Sequence, residues 1–135
     1  MAIIKEILKA DNNYLAFGNY LVKEKQKLED FMFNNNKYKV KTHDELTRLE
    51  KNDNMLLETV PGSAIHKFII KDNLISFEAE GFENTQITLG LEPDQTYELK
   101  IDDILINKSK ANSFGKFSFS VTLSDKPKTL KIKKI

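Results

Sequence analysis

The sequence predicts an all-β fold, an antiparallel β-sandwich preceded by a small N-terminal β-rich region. Apolar and polar residues alternate with period two in one segment after another, as they do in strands with one buried and one solvated face. Turn-forming residues separate these segments about every ten residues, a spacing typical of sandwiches and barrels. The chain has 135 residues, 40% of them hydrophobic, which is enough to build a substantial core.

The clearest alternation lies in residues 61–135, which we assign to the sandwich. Its first pattern is a hairpin with Lys71-Asp72-Asn73 as the turn. In its last segment, lysines such as Lys131 and Lys133 alternate with apolar residues, and we interpret them as protecting an exposed sheet edge. The predicted inward-facing residues are Phe68, Ile70, Ile75, Phe77, Ala79, Ile87, Leu89, Tyr97, Leu99, Ile101, Phe117, Phe119, Val121, Leu123, Leu130 and Ile132.

Residues 1–60 have weaker patterns, and we assign them to a β-rich region that either packs as one unit with the rest or forms a unit of its own. Short strands are predicted over Tyr14–Val22, Leu28–Phe33 and Tyr38–Val40, between turns rich in Asn and Lys. Pro61-Gly62 is the clearest turn signal in the chain and marks the predicted boundary of this region.

Helix is the alternative in two places of the N-terminal region. Residues 23–30 are rich in Lys, Glu and Gln, and Thr42 with Glu45 has the spacing of a capping box. The turn-forming cluster Lys51-Asn52-Asp53-Asn54 nevertheless lies between two apolar stretches. We therefore predict a β-hairpin over residues 46–60.

The composition removes several classes of chemistry. The chain has no cysteine, which excludes disulfides, thiolate catalysis and iron–sulfur ligation, and its two histidines have no metal-ligand spacing. Arg48 is the only arginine, so sites that grip an anion with several guanidinium groups are excluded too. We expect no catalytic residue, no cofactor and no metal site, and hence no enzyme.

Charge and the N-terminal sequence bear on partners and location. The 21 basic residues nearly balance the 20 acidic ones, and with one arginine this argues against nucleic acid as a partner despite the C-terminal lysines. Lys5, Glu6 and Lys9 interrupt the apolar residues of the N-terminus, so we expect neither a signal peptide nor a membrane span. We expect the protein in the cytoplasm, or in an assembly reached without a classical signal peptide.

One segment resembles a known structural motif. Leu91-Glu92-Pro93-Asp94-Gln95-Thr96-Tyr97 and the alternating residues after it are similar to the tyrosine corner of fibronectin type III and related immunoglobulin-like domains. The resemblance implies that Pro93 fixes the bend between sheets, that Leu91 fills the core, and that the hydroxyl of Tyr97 bonds to backbone upstream. Because the chain has no tryptophan and continues into an extra hairpin over residues 104–107, it implies an immunoglobulin-like sandwich rather than a fibronectin module.

A second resemblance spans nearly the whole chain. The segments Tyr38–Thr42, Leu56–His66, Phe77–Gly81 and Thr85–Leu89 are similar to small proteins of clostridia-type Firmicutes, some of which carry the name endosialidase. That name implies several arginines around a substrate carboxylate and a tyrosine nucleophile with an acidic partner. This chain offers Arg48 alone, and it is too short for the β-propeller that a sialidase would need. We therefore expect the name endosialidase to be misapplied.

The remaining titratable residues have ordinary structural explanations. His66 lies on a predicted strand, where it could act as a base only beside a partner, for which Glu58, Glu78 and Glu80 are candidates. Alternation places Glu78 and Glu80 on the solvent face, which favours solvation over calcium binding or glycoside hydrolysis. Two further groups are assigned to surface positions: His43 beside Asp44 and Glu45, and the pair Asp102-Asp103, which we predict to form a turn.

Two aromatic residues are the candidate ligand contacts. The predicted strand pattern explains neither Tyr20 nor Phe82, and Phe82 lies in a predicted loop between Gly81 and Glu83. Exposed rings of this kind can form the platform of a carbohydrate site, or they can cover the edge of a core. A glycan is therefore the alternative partner.

The prediction that best fits these observations is a non-catalytic structural or interaction protein. Both ends of the chain are apolar and strand-like, with Ile3, Ile4, Ile7 and Leu8 at one end and Leu130, Ile132 and Ile135 at the other. Such strands can pair with a second copy of the chain through main-chain hydrogen bonds. We therefore expect a homo-oligomer, or a complex with another protein.

Overall fold

The computed structural model describes residues 7–135, which form thirteen β-strands and no helix. Strands hold 67% of these residues, so the all-β prediction is confirmed. The described residues therefore include no helix long and apolar enough to cross a membrane. The strands are β1 Leu8–Asp11, β2 Tyr14–Phe17, β3 Gln26–Phe33, β4 Asn36–Thr42, β5 Thr47–Lys51, β6 Asn54–Val60, β7 Ser63–Lys71, β8 Leu74–Gly81, β9 Asn84–Gly90, β10 Thr96–Ile101, β11 Ile104–Lys110, β12 Lys116–Thr122 and β13 Lys128–Lys134.

The strands form two antiparallel sheets, as predicted for a sandwich. Sheet A has seven strands in the order β1-β2-β7-β8-β13-β10-β11, and sheet B has six in the order β12-β9-β6-β5-β4-β3. Strands from before Pro61 and strands from after it lie in both sheets, since β2 pairs with β7 and β6 pairs with β9. One continuous apolar cluster draws on both parts of the chain.

Period-two alternation explains this core. Along β10, Tyr97 and Leu99 are buried while their neighbours Glu98 and Lys100 are more exposed, and β4, β9 and β12 repeat the pattern. The largest fully buried side chains are Phe17, Phe77, Phe117, Leu15, Leu49, Leu57, Ile65, Ile87, Leu89, Leu99, Leu123 and Leu130.

Pairs of Asn and Asp make the tight hairpin turns. Asn34-Asn35, Asn52-Asp53 and Asp102-Asp103 all have φ between 50° and 69°. Two consecutive left-handed residues define the turn whose twist matches that of a hairpin, and Asn and Asp tolerate this conformation better than most residues. The hairpin predicted over residues 46–60 is confirmed as β5 and β6, and Asp102-Asp103 is the turn predicted for it.

Two sequence predictions about the strands are wrong. The strand expected over Tyr14–Val22 ends at Phe17, because Gly18 turns the chain with a φ of 92° and Tyr20 folds back over sheet A. The C-terminal strand β13 is not an edge, since β8 and β10 pair with it on either side. The lysines Lys131 and Lys133 therefore do not protect a sheet edge, and the expectation that this C-terminal strand pairs with a second copy is wrong as well, because both of its edges are occupied. The apolar residues Ile3 and Ile4 lie outside the described residues.

The predicted corner has a defined geometry. Tyr97 is 6% exposed, and its hydroxyl accepts a hydrogen bond from the backbone N–H of Glu92 at 3.1 Å. Leu91 is partly buried and packs against the core. The hydrogen bond ties the start of β10 to the segment between β9 and β10.

Candidate functional site

The two predicted ligand contacts lie together on the outer face of sheet A. The loop after β2 carries Tyr20 over this face, where its ring meets that of Phe82 edge to face with centroids 4.9 Å apart. Tyr20 packs with Ala64 and Ala16 in a small cluster of its own and is 5% exposed, whereas Phe82 is 47% exposed. Of the two rings, Phe82 is thus the one that a ligand could reach.

Glu80 lies beneath Tyr20 and is fully buried, at 0% exposure. The prediction that Glu80 faces solvent is wrong. The alternation of β8 does point its side chain away from the sandwich core, but Tyr20 covers it there. The hydroxyl of Tyr20 donates a hydrogen bond to Oε2 of Glu80 at 3.1 Å, and Nε2 of His66 lies 2.7 Å from Oε1. Both carboxylate oxygens therefore have a partner, as a buried acid requires.

The burial of Tyr20 affects its acidity. Removal from water, together with the hydrogen bond to Glu80 and the negative charge of that residue, raises the pKa of Tyr20 to about 12. The hydroxyl consequently remains a hydrogen-bond donor to Glu80 over the whole physiological range.

His66 connects this buried network to a pocket on the surface. Its side chain is 21% exposed and lies at one wall of a concavity of about 470 Å³ between the β1–β2 hairpin and β7. The pocket is lined by Lys9, Asp11, Asn12, Tyr14, Leu15, Ala16, His66 and Lys67.

A β-bulge shapes the pocket wall. The ladder between β7 and β8 passes from the pair His66–Glu78 to the pair Ile69–Ser76, so β7 has one extra residue there. Within this bulge Lys67 has a φ of 52°, a left-handed conformation that costs a lysine about 1 kcal/mol or more. Bulges redirect side chains, and they are frequent next to functional sites.

A chain of buried hydroxyl groups joins the two sheets near Pro61. Oγ1 of Thr47 accepts from the backbone N–H of Ser63 at 3.0 Å and donates to the carbonyl of Ser63 at 2.9 Å. Thr42 bonds to Thr47 at 2.8 Å, and Thr59 bonds to the Ser63 hydroxyl at 2.7 Å. All four residues are fully buried, and their partners are accounted for within the fold.

The other candidate residues lie apart from the pocket. Arg48 contacts two carboxylates, with Nε 3.1 Å from Glu50 and Nη1 2.8 Å from Glu58. His43 lies beside Asp44, with Nδ1 3.6 Å from Oδ1. No group of three metal-ligating side chains occurs within residues 7–135.

The sequence contained part of the signal for this site. The sequence pattern made Glu80 one of the candidate partners of His66, and the hairpin register places His66 opposite Glu78, on the same outer face as Glu80. It missed the cover that Tyr20 provides and the bulge at Lys67. Both depend on contacts distant in the chain, since Tyr20 and Glu80 are 60 residues apart.

No protein family, curated protein or solved structure matches this chain. The fold and the site therefore define its class, a two-sheet β-sandwich protein with a covered acid–histidine pair at a surface pocket. The resemblances to immunoglobulin-like domains and to clostridial proteins stay predictions.

Proposed function

We propose that the protein is a non-catalytic interaction module that associates with a second copy of itself through the edge strand β11. The observation that carries the proposal is a run of three exposed apolar side chains at the start of β11, in which Ile104 is 65%, Leu105 51% and Ile106 54% exposed. β11 ends the strand order of sheet A, and among the described residues only β10 pairs with it. An exposed, apolar strand edge is a template for another strand.

The other three sheet edges support this choice by contrast. β1 has only four residues and ends at Asp11. β3 carries the ion pair between Lys27 and Glu29 and is bulged between Leu28 and Phe31. β12 places serines at its exposed positions 118 and 120. Charge, polarity or short length makes these three edges poor templates; β11 shares a bulge with β3, at Ile106, but its first half is both apolar and uncharged.

The sequence of β11 is complementary to itself in one antiparallel register. With Leu105 opposite Leu105 of the second copy, Ile104 lies opposite Ile106, so the apolar side chains pair. The same register brings Lys108 toward Asp102 of the other copy, which adds an attraction between opposite charges. Full overlap of β11 would instead place Ile104 opposite Lys110, and we therefore favour the register centred on Leu105.

The corner geometry supports a further proposal about the class of sandwich. We propose that this one is immunoglobulin-like, because the hydroxyl of Tyr97 accepts from the Glu92 N–H as a tyrosine corner does. The absence of catalysis belongs to the same proposal and is supported by Arg48, whose guanidinium is already engaged by Glu50 and Glu58.

Light scattering over a range of concentrations tests the association. We expect the mass to rise from 15.6 kDa toward twice that value as the protein is concentrated, and Leu105→Lys to keep it at the monomer mass. Met32→Lys is the matched control, because Met32 is also on an edge strand and is 64% exposed. A wild-type protein that stays monomeric throughout would refute the proposal, as would equal effects of the two substitutions.

Glycan binding is the second candidate function, and the observation that favours it is the exposed ring of Phe82 held against Tyr20. A glycan array with the wild-type protein and Phe82→Ala tests it. Binding that Phe82→Ala abolishes supports this function. An absence of binding, or binding unchanged by the substitution, refutes it.

A further inference from the structure

We propose that the pocket beside His66 binds a small anionic ligand, one bearing a carboxylate or a phosphate, and that His66 contacts this ligand. The proposal is independent of self-association, since the pocket lies on the outer face of sheet A at β1, β2 and β7, whereas β11 is at the opposite end of the sheet. It rests on how His66 is held, on the shape of the wall, and on the charges around the pocket.

The fold holds the ring of His66 in place from behind the pocket wall. Burying a carboxylate is costly unless it is well paired, yet Glu80 is fully buried with one oxygen on His66 and the other on Tyr20. The effect is to fix the imidazole ring at the pocket wall. Support of this kind behind an exposed side chain is what a binding site needs for a defined geometry.

The two ring nitrogens of His66 have different surroundings. Nε2 of His66 faces Glu80, so Nδ1 is the second ring nitrogen, and it can donate a hydrogen bond to an anion when the ring carries both protons as an imidazolium. Lys67 follows His66 directly in the chain, lies in the bulge, and lines the pocket with its backbone in the left-handed conformation. The strained backbone of Lys67 therefore lies in the wall of the pocket, and strained residues and bulges are both frequent at functional sites.

The charged side chains around the pocket favour an anionic ligand. Lys9 and Lys67 line the pocket against a single acid, Asp11, in a chain whose net charge is only +1. Outside the pocket, Lys67 also lies 3.7 Å from Glu78, with its side chain 70% exposed. Tyr14, 42% exposed, offers an apolar surface beside these charges. Glu80 balances a charge on the imidazole itself, and the two lining ammonium groups beside that ring suit an anion rather than a neutral sugar.

Side-chain NMR of the two histidines tests the proposal directly. The protein is titrated with inorganic phosphate and, separately, with citrate, while the ring signals of His66 and His43 are followed. His43 serves as the internal control, since it lies in the turn before β5 and does not line the pocket. We expect a saturable shift of the His66 signals with one or both anions and none for His43. The anion that binds more tightly identifies the ligand as a phosphate or a carboxylate.

Substitutions of the lining charges distinguish an anion site from a sugar site. We expect Lys9→Gln to weaken binding by roughly two- to fivefold and Asp11→Asn to tighten it by a similar factor, as for one exposed charge. Lys133→Gln, remote from the pocket, is the matched control and should leave the affinity unchanged. Three outcomes overturn the proposal: no saturable shift at His66, equal shifts at both histidines, or an affinity that Asp11→Asn lowers.

Discussion

Nε2 of His66 lies 2.7 Å from Oε1 of Glu80, an acid that is completely buried although it points away from the core of the sandwich. This contact joins the neighbouring strands β7 and β8 on their outer face, and Tyr20 covers it from the loop after β2. The outer face of sheet A is therefore not a plain solvated surface. It carries a small polar core of its own, whose removal should be measurable.

Replacing Glu80 by alanine should destabilise the fold strongly. The substitution leaves the hydroxyl of Tyr20 and Nε2 of His66 without their acceptor and opens a cavity beneath the ring, so we expect a loss of about 2–4 kcal/mol in the free energy of unfolding. Urea denaturation followed by circular dichroism measures it. Glu78→Ala on the same strand is the control and should change stability by less than about 0.5 kcal/mol. Equal losses in the two variants would contradict the network.

Alkaline conditions should weaken the same network. Tyr20 has a pKa of about 12 in the folded chain against an ordinary value of 10.0, so the folded state keeps a proton that the unfolded state has lost. The stabilisation is complete below pH 10 and declines as the pH rises toward 12. We expect Tyr20→Phe to reduce this decline and to remove one late step from the ultraviolet titration of tyrosine. Tyr38, whose pKa is raised by burial, should keep its own late step. An unchanged titration curve would contradict the assignment.

The buried hydroxyl chain gives a prediction that is independent of the pocket. Thr47→Val keeps the shape of the side chain but removes both hydrogen bonds to the backbone of Ser63. We expect a loss of about 1–3 kcal/mol, the usual cost of stranding buried polar groups. Thr122→Val on β12 is exposed and should be nearly neutral. Thermal unfolding of both variants provides the comparison, which fails if Thr47→Val is as stable as the wild type.

Gly62 should tolerate no side chain. A β-carbon there would collide with the backbone carbonyl of His43, whereas one at Gly81 would come no closer than 3.3 Å to a δ-carbon of Leu123. Because a backbone atom yields less readily than the end of a side chain, Gly62→Ala should be the more destabilising substitution, by about 1–3 kcal/mol. Chemical denaturation of the two variants tests the order, and the reverse order would be inconsistent with this packing.

The alternation of apolar and polar residues predicted the strands and their buried faces. It did not predict that Tyr20 covers Glu80 on the outer face of sheet A. Alternation identified Tyr97 and Leu99 as core residues because each strand has one buried face. The same rule put Glu80 in solvent, since the rule describes a strand and contains nothing about a loop that folds over it. Strand order has the same limit: lysines suggest an edge, yet β13 is central because β8 and β10, distant in the chain, pair with it.

The central claim is that two copies pair through β11 in the register centred on Leu105. The chain has no cysteine, so Leu105→Cys introduces a single thiol. Directly opposite residues of antiparallel strands have Cα atoms about 4.5–5.5 Å apart, which lies within the range of a disulfide. In the same register two copies of residue 107 are roughly 13 Å apart and cannot be bridged.

The most direct measurement is therefore the oxidation of three single-cysteine variants, followed on non-reducing gels. Leu105→Cys should form a disulfide-linked dimer rapidly. Asn107→Cys, at the wrong register, and Ser120→Cys, on the edge strand β12, should stay largely monomeric. Cross-linking of Leu105→Cys no faster than that of Ser120→Cys would contradict pairing through β11, and preferential cross-linking of Asn107→Cys would contradict the proposed register.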